Sequence, residues 1–294
     1  MNELYQWLIA PFAEFEFMRY ALASVLFLSL SAAPVGVFLV MRRMSLMGDA
    51  MSHAVLPGAA IGYIFAGLSL PAISFGGLIT GLLMALGAGL ASRLSVVKED
   101  ANFAAFYLGC LALGVVLVSR HGSNVDLLGL LFGSVLAVDT PSLTLIASVA
   151  TLTIIILTII YRPLFIESVD PVFMRIMGSL GGLSHILFLM LVVINLVAGF
   201  QALGTLMSVG LMMLPAICAR LWFSRMERIL FGAIAIAISS SLIGLLLSYH
   251  VNIPSGPAII LICASFYILS LLIAPHGTLL IRMRSHKHRG VTTK

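Results

Sequence analysis

Charge is scarce in this chain. Of its 294 residues, 9% are Asp, Glu, Lys or Arg and 61% are hydrophobic. A soluble domain has about 25% charged and about 45–50% apolar residues. The mean hydropathy is +1.15. No soluble interior of this size hides so much apolar surface, so lipid must be the solvent for much of it. Cysteine is also rare: Cys110, Cys218 and Cys263 sit inside apolar stretches without a CxxC spacing. They read as small buried hydrophobes and say nothing about redox compartment. The three lysines, Lys98, Lys287 and Lys294, are never preceded by Gly. Without a GxxxxGK[ST] the chain has no phosphate-binding loop of the usual NTPase kind. It is therefore not expected to be an enzyme or to keep a cofactor, and any ATP hydrolysis belongs to a partner subunit. No basic residue precedes Arg19, whereas Glu3, Glu14 and Glu16 do. A secretory signal starts with positive charge, so residues 1–16 are not read as one. Their Tyr5, Trp7, Phe12 and Phe15 suit a segment lying at the membrane interface. There is no low-complexity region and no convincing internal repeat.

What the chain does have is apolar length. Nine segments are long enough to span a bilayer or nearly so: 17–41, 48–67, 71–92, 102–119, 141–161, 183–200, 203–222, 229–247 and 257–275. A crossing helix needs roughly 20 such residues. The expected fold is an all-α polytopic membrane protein with about nine transmembrane helices. Residues 1–16 form the interfacial segment, 17–275 the membrane domain and 276–294 a basic tail. The 26 glycines fit close helix packing in lipid. With the C-terminus inside, the cytoplasmic face receives 14 of the 16 Lys and Arg residues, and only Arg19 and Arg120 fall outside. The reverse orientation inverts that ratio, so the positive-inside rule puts the N-terminus outside and the tail in the cytoplasm. The tail Arg282–Arg289 reads as a cytoplasmic end beside anionic lipid rather than as a nucleic-acid patch.

Two connections stand out. Residues 120–140 hold Asp126, an apolar LLGLLFG and Asp139, too short to span and too apolar for a plain loop; a short helix dipping into the outer face is expected. Residues 162–182 form the longest internal cytoplasmic segment. Within it Asp170 can cap a helix, Pro171 fits its first position, Arg175 is its basic residue and Gly178 can end it.

The ionisable pair inside a span is Asp49 and His53, in MRRMSLMGDAMSHAVLPGAAIG. Such groups usually face a pathway or a partner. A spacing of i, i+4 puts both on one helical face, about 6 Å apart along the axis. Carboxylate oxygen and imidazole nitrogen could then meet one ion, and mixed O and N ligands suit Zn, Mn or Fe(II). A structural role stands beside that reading: Asp49 could cap the helix or pair with Arg42 or Arg43, and His53 could bond a neighbouring helix. Met41, Met44, Met47 and Met51 surround the turn as soft ligands or as core. His185, Asn195 and Gln201 could line a pathway or make interhelical hydrogen bonds.

At these residues the chain resembles the permeases of bacterial zinc/manganese/iron ABC importers. The resemblance covers roughly residues 15–275. Its most specific piece is RRMSLMGDAMSHAVLPGAAIG (42–62), followed in order by VKEDANFAAFYLGCLALGVVLVS (97–119), LLFGSVLAVD (130–139), VDPVFMRIMG (169–178), LGTLMSVGLMMLPAICARL (203–221) and NIPSGPAIIL (252–261). It implies a type II architecture like that of vitamin B12 importers and a homodimer of permeases. It also implies separate cytoplasmic ATP-binding subunits and an extracytoplasmic metal-binding protein as partners. Asp49 and His53 match the family's GD-x-x-x-H and are implied to form the metal site. Residues 169–178 are implied to be the helix that couples to the ATPase, although Met174 stands where the family favours a small residue. The segment around 203–215 leans slightly towards zinc-importing members. The expected cargo is thus Zn²⁺ or Mn²⁺, moved through the bacterial inner membrane. The competing readings are a gradient-driven secondary metal carrier, which would usually need more intramembrane carboxylates, and a permease of the same fold for a siderophore or cobalamin, which needs no paired Asp and His.

Overall fold

The computed structural model of the chain describes residues 2–44, 47–67, 69–94, 99–120, 138–170, 173 and 179–275. Twelve helices run through the described residues: α1 Asn2–Leu8, α2 Ala10–Glu14, α3 Glu16–Met41, α4 Met47–Ala54, α5 Leu56–Ala66 and α6 Leu70–Leu94. The remainder are α7 Glu99–Arg120, α8 Thr140–Val169, α9 Ser179–Leu203, α10 Thr205–Trp222, α11 Met226–Val251 and α12 Ser255–Ile273. Seven of them, α3, α6 and α8 to α12, are long and apolar enough to cross a membrane, and α7 carries a shorter apolar stretch at Ala101–Leu117. The expected all-helical membrane fold holds. The nine apolar segments correspond to these eight helices plus the α4–α5 pair.

α3 sits at the centre, against α8, α9, α10 and α11. Its Leu28, Phe38 and Leu39 are fully buried together with Phe188 and Leu196 of α9 and Leu211 of α10. α8 and α12 lie outside, and their exposed Ile154, Ile155, Ile159, Leu261 and Ile268 face where lipid would be. α3 ends in a Schellman turn. Met44 N–H bonds the Leu39 carbonyl at 2.9 Å and Arg43 N–H the Val40 carbonyl at 3.1 Å. Arg43 takes the left-handed conformation this turn requires, at φ 61, where glycine is the usual occupant.

The predicted span 48–67 is two helices rather than one. Pro57 has no N–H to give to the carbonyl four residues back, and its ring crowds that carbonyl. The helix therefore breaks at Val55, which caps α5. α5 then packs on α6 through glycines. A Cβ at Gly58 would collide with the Gly76 carbonyl oxygen, and one at Gly76 with that of Gly58.

The predicted segment 141–161 is also longer than its apolar core. α8 runs on through Pro163 to Val169. Residues 162–169 are therefore helix, not loop. Buried Leu164 holds this end, as do the partners of Glu167 described below. At about 1.5 Å per residue, α8 is roughly 45 Å long, more than the roughly 30 Å hydrocarbon core. At its other end Asp139 caps the helix, its side chain accepting from the Ser142 N–H at 3.0 Å.

α1 and α2 fold the interfacial segment onto the end of α11. The Trp7 ring stacks on His250 with centroids 3.9 Å apart, and Phe15 meets Tyr249 at 5.7 Å. Asp126, Pro171, Met174, Arg175, Gly178 and the tail 276–294 lie outside the described residues.

Candidate metal site

α4 presents one face to the protein and one away from it. Met47, Gly48, Ala50, Met51, Ser52 and Ala54 are buried. Met51 is fully enclosed in the core. Asp49 and His53 occupy the opposite stripe, as the i, i+4 spacing requires. The Asp49 side chain is 63% exposed and the His53 side chain 27%. Their Oδ1 and Nε2 atoms stand 3.7 Å apart. Two ligands each about 2.1 Å from one ion are about 3.4 Å apart at a tetrahedral angle. The pair is thus set slightly wider than a bidentate clamp, within reach of one shared cation.

The depth of the pair follows from its neighbours. A Cβ at Gly48 would lie 3.2 Å from Met213 Cε. Met213 is the ninth of the eighteen residues of α10. The first turn of α4 therefore stands beside the middle of a crossing helix. A carboxylate at that depth cannot face hydrocarbon at tolerable cost. Behind the pair, the His53 ring meets Tyr107 of α7 with centroids 5.6 Å apart. His53 Nδ1 is buried with no hydrogen-bond partner among the described residues. Nε2 is thus the ring nitrogen turned towards Asp49. No third His, Cys, Asp or Glu joins them in a cluster among the described residues. Among the described residues of one chain the candidate site thus has two side chains, fewer than a closed metal site needs.

Arg42 does not pair with Asp49. Its guanidinium donates to Glu167 Oε2 at 2.6 Å and meets His185 Nδ1 at 3.0 Å. Glu167 Oε1 lies 3.3 Å from the same ring nitrogen. Arg42 also stacks over Phe188, 4.8 Å from the ring centroid. This cluster joins the end of α3, the last turn of α8 and the start of α9. Sequence spacing conceals it, since Glu167 and His185 are 125 and 143 residues from Arg42. The one signal available is that each is an ionisable residue bordering an apolar run in a chain poor in charge.

The other candidates are dispersed. Asn195 is completely buried. Its amide donates to Thr153 Oγ1 at 2.7 Å and to the Leu191 carbonyl at 2.9 Å, tying α9 to α8. Gln201 falls in the last turn of α9, and its side chain lies outside the described residues. Asp170 closes α8, and its Oδ1 accepts from the Phe173 N–H at 2.9 Å.

A profile of the ABC 3 transport family matches residues 14–274. The chain belongs to that family. It is 32% identical over 277 residues to the manganese import system permease protein ScaB of Streptococcus parasanguinis, covering 94% of this chain and 95% of that one. It is 33% identical over 268 residues to a probable iron transport system membrane protein of Haemophilus influenzae, covering 91% and 97%. Among solved structures, PsaBC from Streptococcus pneumoniae in complex with Fab superposes with a TM-score of 0.81 at 31% identity, over 96% of this chain and 100% of that one. An inward-facing metal-chelate type ABC transporter shares the fold, with a TM-score of 0.70 at 16% identity over 86% and 85%. The ABC 3 permease architecture expected from the motifs is the one observed.

Proposed function

We propose that this ABC 3 family chain is the membrane permease of an ATP-driven importer of a divalent transition metal. The cargo is Mn²⁺ first, with Fe²⁺ and Zn²⁺ as candidates. The metal arrives from an extracytoplasmic binding protein and leaves into the cytoplasm. The observation that supports this reading most is Asp49, an exposed carboxylate beside the middle of α10, with His53 Nε2 3.7 Å away. Two such pairs facing each other across a homodimer axis would offer one ion two carboxylates and two imidazoles. An O₂N₂ set with room for water suits Mn²⁺ and accepts Zn²⁺. The relatives reported above are named for manganese or iron, which moves the choice away from the slight lean to zinc. Separation of the two halves on one side would release the ion. The second copy, the cytoplasmic ATP-binding subunits and the binding protein complete the machine. The segment that starts at Asp170 docks on the ATPase, and the N-terminus lies outside.

Uptake of labelled Mn²⁺, with Zn²⁺ and Fe²⁺ as competitors, tests this in a strain whose only high-affinity system contains this chain. Asp49→Ala and His53→Ala should each lower uptake by at least about 100-fold, since loss of a group one shell beyond a metal already costs about 10–100-fold, while the complex still assembles. Wild-type uptake in either variant rejects the site. Transport by this chain in liposomes without any ATPase rejects the importer and favours a gradient-driven carrier.

A further inference from the structure

We propose that Arg42, Glu167 and His185 are positioning residues that link movement of the α8 and α9 ends to the metal-bearing face of α4. The inference rests on the importer reading above and adds a mechanical part to it. The cluster is largely buried: the Arg42, His185 and Glu167 side chains are 6%, 10% and 16% exposed. Burial of an ion pair is weak evidence of stabilisation, because desolvation can cancel the attraction, and apolar residues of similar volume often do as well. An ion pair kept without a clear gain in stability calls for a role beyond packing. Its location supplies one.

Three chain segments meet in it. Glu167 lies two residues before the end of α8 and three before Asp170. His185 lies in the second turn of α9. The connection between these two helices is the one proposed to meet the ATPase. Arg42 is the C-cap of α3 and lies five residues before Met47, the first residue of α4. The path from Arg42 to α4 is short and geometrically fixed at its start by the Schellman turn with Arg43 at φ 61. A left-handed arginine is costly and is kept where the surroundings over-determine it. The charge-assisted bonds of 2.6 and 3.0 Å are directional, unlike apolar contact. A displacement of the α8 and α9 ends thus carries Arg42, and with it the root of the helix that bears Asp49 and His53.

The test uses the whole transporter, with its ATPase subunits and binding protein, in liposomes. Labelled Mn²⁺ uptake and ATP hydrolysis are measured together, with Glu167→Gln and the double variant Arg42→Met/Glu167→Met, which leaves no unpaired charge from the ion pair. In each, Mn²⁺ moved per ATP should fall about tenfold, within the ordinary range of coupling effects. The KM for Mn²⁺ should stay within about twofold, since ground-state binding is untouched. Glu167→Asp should recover part of the ratio. An unchanged ratio, whether both activities are intact or fall in parallel, overturns the proposal, as does failure of both variants to assemble, because the cluster is then a structural brace. Gly178→Leu separates the two levels. If it leaves ATPase association and the ratio intact, the docking segment is misplaced; if it disrupts them while the cluster variants do not, only the present inference fails.

Discussion

Pro57 stands four residues after His53 and has no N–H to offer the His53 carbonyl. The kink that separates α4 from α5 is therefore written one turn beyond the candidate metal ligand. On the α4 side of the kink the His53 ring meets Tyr107 at 5.6 Å. Pro57→Ala should let α4 and α5 merge. Proline inside a helix costs up to about 3 kcal/mol against alanine, so the thermal midpoint in detergent should hold or rise. Mn²⁺ uptake should fall by about tenfold or more, since an ångström-scale misplacement of a working group can cost about 100-fold. Uptake equal to wild type would show that the kink has no bearing on the site.

The dimer reading makes its own demand. If one ion is held by both protomers, a complex with Asp49→Ala in a single protomer should be nearly as impaired as one with both changed. Complexes with differently tagged protomers, purified through both tags, allow the comparison. Half of wild-type uptake would mean that each chain carries its own ion.

Orientation is open to chemical labelling. The 14 basic residues assigned to one face predict that the start of α9 lies in the cytoplasm. Ser179→Cys in a cysteine-free background should resist a membrane-impermeant thiol reagent in intact cells and react in inverted vesicles. Labelling from outside would reverse the whole topology.

Asp139 gives a prediction about pH. The Ser142 hydroxyl and then the Ser142 backbone N–H donate to its carboxylate and hold its pKa below the usual aspartate value. A depressed folded-state pKa contributes stability above the unfolded-state pKa of about 3.9, and that contribution disappears as pH falls through the folded value. Asp139→Ala should cost about 1 kcal/mol at pH 7, as lost caps typically do. Asp139→Asn should keep the cap and remove its share of the acid sensitivity between pH 5 and 3. Thermal midpoints of the three proteins across that range provide the check. Equal acid sensitivity in wild type and Asp139→Asn would assign the effect to other carboxylates.

The parts legible in the sequence are those that lipid dictates. A crossing helix must carry an unbroken apolar run, so 17–41 anticipates Glu16–Met41 and 203–222 anticipates Thr205–Trp222. The Asp49–His53 register is equally plain, because residues four apart share a helical face. What looks outward from α4 is not, since that depends on how α6, α7, α9 and α10 close around its other side. The end of α8 was missed because Arg162-Pro163 reads as a stop. Helix continues past it because Glu167 finds Arg42 and His185, and those partners are invisible to local pattern.

The outer helices impose a condition on the membrane itself. α12 has 19 residues, about 28 Å at 1.5 Å each. The exposed apolar side of α8 extends from Leu152 through Ile159 to Phe165, Ile166 and Val169 on a helix of roughly 45 Å. The whole of α8 exceeds a hydrocarbon core of roughly 30 Å, whereas α12 does not, so α8 either tilts or projects past the core, mismatch costing a fraction of a kcal/mol per Å. Acyl-chain length is therefore a variable of this permease, acting on the helix whose last turn holds Glu167.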